Sequence, residues 1–295
     1  MNQFGAIVVA TDFSEGAARA ARRGALLADA RGLPVELVHI VSASELETVR
    51  AWFSYRSDLV ETLTADAQLS LDSAAMALAA PGRSIITRLI VGDVHDELKS
   101  IAARNSLLVM GARGETTLGE ILFGSTVERV VGESEGPVLV VRSEPRGPYQ
   151  NVLLGADLDH GCATLLGDVV DFSPGARFTA LNAYHVPFEG ALHRAGFTTE
   201  EIERQRGSAL KTAIDGINSL VRQLHSSSLL VLPVAQRGDP ARLLVEHGKH
   251  IGADLLAVAR RSRSRLAALL MGSVTRHVVA NADRDVLVLR GPALT

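Results

Sequence analysis

The sequence predicts an α/β protein of two tandem doubly wound domains. Each is a five-stranded parallel sheet flanked by helices, and the two are expected to pack as a pseudo-dimer. Three observations lead there. The 295 residues leave room for two domains at roughly 100–200 residues each. The chain repeats itself in order about 146 residues further on. Each half alternates short apolar runs with helix-period segments.

The repeat rests on five matches. Ala6-Ile-Val-Val-Ala-Thr-Asp12 answers to Val152-Leu-Leu-Gly-Ala-Asp157, and Leu37-Val-His39-Ile-Val41 to Ala183-Tyr-His185-Val-Pro187. Gly92-Asp93 answers to Gly238-Asp239, Gly124-Ser125 to Gly272-Ser273, and Pro137-Val-Leu-Val-Val-Arg142 to Asp285-Val-Leu-Val-Leu-Arg290. The turn-rich Glu144-Pro-Arg-Gly-Pro148 marks the joint, which gives domains 1–144 and 149–295.

In the first half, residues 6–10, 35–41, 85–91, 107–110 and 138–141 are apolar runs bounded by Gly, Asp or Pro, the pattern of strands covered on both faces. Residues 14–31 are Ala-rich with apolar positions at helical spacing, and 58–80 form a longer amphipathic stretch. Asp93 is placed to cap a third helix with Asp96 in its first turn, and Ser125-x-x-Glu128 reads as a capping box opening a fourth. Trp52, Phe53 and Tyr55 follow the second strand and are expected to cover a core or pack on the other half. In such sheets ligands bind beyond the C-terminal ends of the strands, where strand order reverses.

Composition excludes several classes. With 33 acidic and 30 basic side chains, the net charge of −3 gives no global attraction to nucleic acid or an acidic membrane. One cysteine, Cys162, forms neither an intrachain disulfide framework nor a Cys-based zinc cage. The start has no basic segment followed by a long apolar one, and no run approaches the roughly 20 apolar residues of a membrane span. A soluble, cytoplasmic protein is expected.

The richest segment is Val109-Met110-Gly111-Ala112-Arg113-Gly114, followed by residues 115–123 and Gly124-Ser125-Thr126. Glycines just after a strand let backbone N–H groups approach an anion. Gly-Ser-Thr at a helix start adds free N–H groups, the positive end of a helix dipole and two hydroxyls. Read from the residues alone, this is either a polyphosphate site or a tight turn before an ordinary helix. Gly119-x4-Gly124 has the Walker A glycine spacing, but Ser125 stands where its lysine must be.

The spacing Gly-x2-Gly-x9-Gly-Ser resembles the nucleotide signature of the universal stress protein family. Val9-Ala-Thr-Asp12-Phe-Ser14, Val38-His39-Ile-Val41 and Gly136-Pro-Val-Leu-Val-Val141 resemble that family's first, second and last strands. Since both halves carry the pattern, the chain resembles a tandem universal stress protein. The resemblance implies ATP in the first half, with Mg²⁺ or Mn²⁺ bound through the phosphates. It implies that Thr11 and Asp12, with Ala10 beside them, lie near the ribose and phosphates, and the Val41 backbone at the adenine. Met110, Gly111, Arg113 and Gly114 would line the ribose and phosphate side, with Gly124, Ser125 and Thr126 on the phosphates. The alternatives are Asp12 as a helix cap, Val41 as core and Arg113 as a solvated loop charge, though Arg113 lies between the two glycines, where a cation would meet phosphate. The resemblance also implies pairing of 138–141 with 286–289, which would hide two sheet edges. Further pairing of two chains is left open.

The second half departs from the pattern. Ala259 and Ser262 replace the first two glycines, and Arg276 replaces the capping-box Glu128. The added Cβ atoms should narrow the phosphate loop, so no nucleotide is expected there. Arg260, Arg261, Arg263 and Arg265 form either a solvated basic loop or a binder of another anion.

Other signals are weak. His39 and His185 stand at matching strand ends and read as scaffold histidines. His247 and His250 share a helix face without a third ligand. Asp157-x-Asp159-His160 is a metal site or a helix-start turn, and Cys162 lacks an activating neighbour beyond His160. The implied function is an ATP-binding stress-response or regulatory protein with little or no turnover. The alternatives are a slow metal-dependent ATPase using Glu115 or Glu120, and a non-nucleotide ligand or partner bound by the second half.

Overall fold

The structure is a computed structural model that describes residues 5–104, 106–112, 124–158, 162–223, 230–260 and 272–291. The first half runs β1 (Ala6–Ala10), α1 (Glu15–Asp29), β2 (Val35–Ser42), α2 (Ala43–Trp52), α3 (Leu59–Ala77), β3 (Ile85–Gly92), α4 (Val94–Ala103), β4 (Ser106–Gly111), α5 (Ser125–Glu133) and β5 (Val138–Val141). The second repeats the scheme: β6 (Asn151–Gly155), α6 (Cys162–Phe172), β7 (Arg177–Tyr184), α7 (Glu189–Arg194), α8 (Thr199–Gln223), β8 (Val231–Arg237), α9 (Pro240–His250), β9 (Leu255–Arg260), α10 (Ser273–Asn281) and β10 (Asp285–Arg290).

The strands form one sheet in the order β3-β2-β1-β4-β5-β10-β9-β6-β7-β8. Every neighbouring pair is parallel except β5 with β10, which run antiparallel with Leu139 opposite Leu287. The fold class is therefore as expected, including the pairing of the last strands. The two edges that β5 and β10 would expose are consumed by each other.

The sheet is covered on both faces, which is why its strands are nearly continuous apolar runs. On one face Ile7, Val9, Leu107 and Leu139 join Leu154, Leu255 and Leu287 in a core that continues across the joint. On the other, Val8, Leu108 and Val138 do the same with Leu256 and Val286. Two shared cores make the halves one body.

A buried polar cluster pins the joint. Asp285, fully buried, accepts hydrogen bonds from the N–H groups of Arg142 and Ser143, both at 2.9 Å, and from the Tyr149 hydroxyl at 2.7 Å. Arg23 of α1 reaches the same carboxylate at 3.3 Å, lies 4.1 Å from the Tyr149 ring centre and donates to the Gly147 carbonyl. Burial, with the Asp285 charge second, holds the Tyr149 hydroxyl well above its usual pKa.

One expectation fails here. Trp52, Phe53 and Tyr55 join neither core and lie at the surface, 71%, 40% and 78% exposed. They belong to the end of α2 and the turn after it, a helix whose sole buried residue is Leu46.

Candidate functional site

The candidate site lies where β1 and β4 adjoin and the chain passes to opposite sides of the sheet. The register sets Val9 opposite Val109. Thr11, just past β1, and Gly111, the last residue of β4, therefore lie at one level. The Thr11 N–H bonds the Val38 carbonyl at 2.9 Å, which holds the end of β1 against β2.

The segment leaving β1 is tightly wound. The Thr11 hydroxyl accepts from the Phe13 N–H at 3.1 Å, and an Asp12 carboxylate oxygen accepts from the Ser14 N–H at 3.0 Å. The Ser14 hydroxyl then caps α1 by accepting from the Ala17 N–H. Asp12 is thus not the helix cap, and its exposed carboxylate sits at the rim. Phe13 is held at φ +64°, a left-handed conformation uncommon for a side-chain-bearing residue.

The site's glycines do different jobs. A Cβ on Gly111 would lie 2.7 Å from the Gly16 carbonyl carbon, so Gly111 is needed first to let α1 pack on β4. Gly124 carries no such demand. Its φ is −60°, and among the described residues a Cβ there would meet nothing nearer than the Ala112 carbonyl at 3.8 Å. Gly124 is also the N-cap of α5, with no side-chain cap. This corrects the capping box: Ser125 is the first helical residue, and the Glu128 side chain turns away to Arg276 at 2.7 Å. Two hydroxyls and a helix start without a side-chain cap thus stand beside the β4 end, and a helix start of this kind offers free N–H groups to an anion.

Among the expected residues, the structure gathers Ala10, Thr11, Asp12, Gly111, Gly124, Ser125 and Thr126 around this point. The Met110 side chain instead lies in the core beneath, 5% exposed. Val41 is half-buried further out on β2, opposite Val91. Arg113, Gly114, Glu115 and Glu120 lie outside the described residues, as do Asp159, His160, Arg261, Ser262, Arg263 and Arg265. Among the described residues no group of three or more His, Cys, Asp or Glu could hold a metal ion.

The second half differs by more than its motif. Ala259 fills the place of Gly111. Val274 replaces Thr126 in the first turn of its helix. Arg260 is not a loop residue: it ends β9, is 7% exposed, and donates to the Gly132 and Ser134 carbonyls at the C-terminus of α5 in the other half. Burial, with Arg290 adding to it, pulls its pKa below the ordinary arginine value. Arg142 reciprocates by donating to the Val279 and Ala280 carbonyls at the end of α10.

The register also revises one repeat match. Ala10 pairs with Val38 and Gly155 with Leu181, so the counterpart of His39 is Asn182, not His185. The two make the same bond: His39 Nδ1 lies 2.8 Å from the Thr11 carbonyl oxygen, and Asn182 Nδ2 lies 2.8 Å from that of Ala156.

Fold and site together define a tandem α/β protein whose first half brings the ends of β1 and β4 beside the start of α5. The family model of the universal stress proteins matches residues 3–142 and again 148–290, so the chain belongs to the universal stress protein family. It is 27% identical over 288 residues to a universal stress protein of Mycolicibacterium smegmatis, covering 94% of this chain and 93% of that one. A universal stress protein of Methanocaldococcus jannaschii is 30% identical over 152 residues, covering 46% of this chain and 93% of that protein. Among solved structures, a universal stress protein from Archaeoglobus fulgidus superposes with a TM-score of 0.63 at 18% identity, over 98% of this chain and 99% of that one.

Proposed function

We propose that this is an ATP-binding regulatory protein of the stress response. The nucleotide is held in the first half with little or no turnover, and Mg²⁺ or Mn²⁺ enters on its phosphates. The observation that carries this reading is Gly124. Neither backbone strain nor any atom of the described residues requires a glycine there, and it stands at the start of α5 beside the end of β4. A phosphate chain would use the room a glycine leaves, and a larger side chain would take it. Ser125 and Thr126 would donate hydroxyls to it, and Thr11 and Asp12 would face it from β1. Arg113 and Gly114 complete the set by their place in the motif.

Mass spectrometry of small molecules released from the purified full chain tests the reading. The wild type should release ATP and Gly124→Val should not, with unchanged circular dichroism. ATP retained by Gly124→Val would overturn the site, and a wild type that releases and binds no adenine nucleotide would overturn the function. Slow turnover would show as ADP accumulating in the wild type.

A further inference from the structure

The segment from Thr11 to Ser14 presents the β1 side of the proposed site, and it is a conformation a free peptide would not keep. Phe13 at φ +64° is sterically costly, so something must over-determine the turn. Two side chains of the turn itself contribute, Thr11 and Asp12 accepting from the Phe13 and Ser14 N–H groups. Further support comes from β2. His39 Nδ1 stands 2.8 Å from the Thr11 carbonyl oxygen, and its ring centre lies 4.4 Å from that of Phe13. A carbonyl can only accept, so Nδ1 carries the proton of this bond. One side chain thus fixes the peptide leaving Thr11 and the ring of the strained residue two positions later.

We infer that His39 is the positioning residue of the first-half site, holding the Thr11–Ser14 turn in the shape that presents Thr11 and Asp12 to the ligand. The inference rests on the nucleotide-binding reading above. The second half shows what the role needs: at the equivalent position Asn182 makes the same bond to the Ala156 carbonyl through an amide N–H. The required chemistry is a donor at one point above β2, and an imidazole is only one way to supply it. The second half therefore keeps this device although Ala156 and Ala259 replace Thr11 and Gly111.

The internal comparison supplies the test. His39→Asn keeps the donor as the second half does, and His39→Ala removes it. Titration calorimetry of the full chain with ATP and Mg²⁺ should find His39→Asn within about twofold of wild type and His39→Ala weaker by about tenfold, the loss expected from one hydrogen bond. Amide hydrogen exchange at Phe13 and Ser14 should rise in His39→Ala and stay at the wild-type level in His39→Asn. Rescue by asparagine is what a merely bulky filler at position 39 would not give. Equal affinity in His39→Ala and wild type would overturn the inference, as would His39→Asn as weak as His39→Ala. A wild type that binds no ATP, with the exchange pattern as expected, would sink the nucleotide reading while leaving the turn-holding role standing. Unchanged exchange in His39→Ala would sink that role itself.

Discussion

Glu128 and Arg276 occupy the same place in the two repeats and bond each other across the joint, carboxylate oxygen to guanidinium nitrogen at 2.7 Å. Each is the fourth residue of its helix, α5 or α10. Near a two-fold axis a residue meets its own copy, so a symmetric pair of first halves would set glutamate against glutamate. The tandem chain resolves this by making one partner basic. Both side chains are partly exposed, so the pair is worth at most about 1 kcal/mol. Glu128→Arg and Arg276→Glu should each lower the unfolding midpoint slightly, and the double swap should recover it. A double-mutant cycle by urea unfolding checks this. The coupling should shrink in 1 M salt, and a swap no better than either single would refute it.

Much of this architecture is legible in the sequence because parallel strands covered on both faces cannot hide: 6–10 and 138–141 are read to the residue. What escapes is set by partners distant in the chain. Arg260 looks like the start of a basic loop because its acceptors, the Gly132 and Ser134 carbonyls, become neighbours only when the halves meet. Helix α2 escapes because it buries almost nothing, leaving no apolar stripe to read. The glycine spacing marks the site but not its division of labour. That Gly111 serves helix packing while no described atom crowds Gly124 depends on where α1 lies.

That division makes a separable prediction. Gly111→Ala drives a methyl into the Gly16 backbone and should cost about 1–3 kcal/mol of stability. Gly124→Ala meets no described atom nearer than 3.8 Å, and as an N-cap change should cost about 0.5–1 kcal/mol or less. On the proposed function, Gly124→Ala should nevertheless weaken ATP binding. Urea unfolding and ATP titration of the two variants decide it, and equal stability losses would show the packing account of Gly111 to be wrong.

Asp285 is the most consequential side chain of the joint. It satisfies two N–H groups and a hydroxyl, and it faces the buried Arg23. Asp285→Ala strands the two N–H groups and the Tyr149 hydroxyl and leaves the Arg23 charge with only the Gly147 carbonyl and the Tyr149 ring, and breaking a buried pair from one side typically costs about 3–5 kcal/mol. Asp285→Asn keeps the shape and should cost less. Denaturant unfolding measures both, and a loss under about 1 kcal/mol in the alanine variant would contradict the pinning role.

Tyr149 gives the joint an alkaline limit. Its ordinary pKa of 10.0 applies to the unfolded chain, while burial and the Asp285 carboxylate hold it well above that in the fold. Between the two values the folded state keeps a proton that the unfolded state has lost. The stabilisation is fully present below about pH 10 and is lost as pH rises through the folded pKa, at up to about 1.4 kcal/mol per pH unit. Tyr149→Phe removes that slope but also removes the 2.7 Å bond to Asp285. It should therefore be less stable than wild type at pH 7 by about 1 kcal/mol or more, and the gap should narrow steadily above pH 10. Paired denaturation curves from pH 7 to 11.5 measure the difference between the two proteins, which isolates this hydroxyl from the lysines and arginines that titrate in both. A gap independent of pH would mean that Tyr149 ionises alike in the folded and unfolded chain.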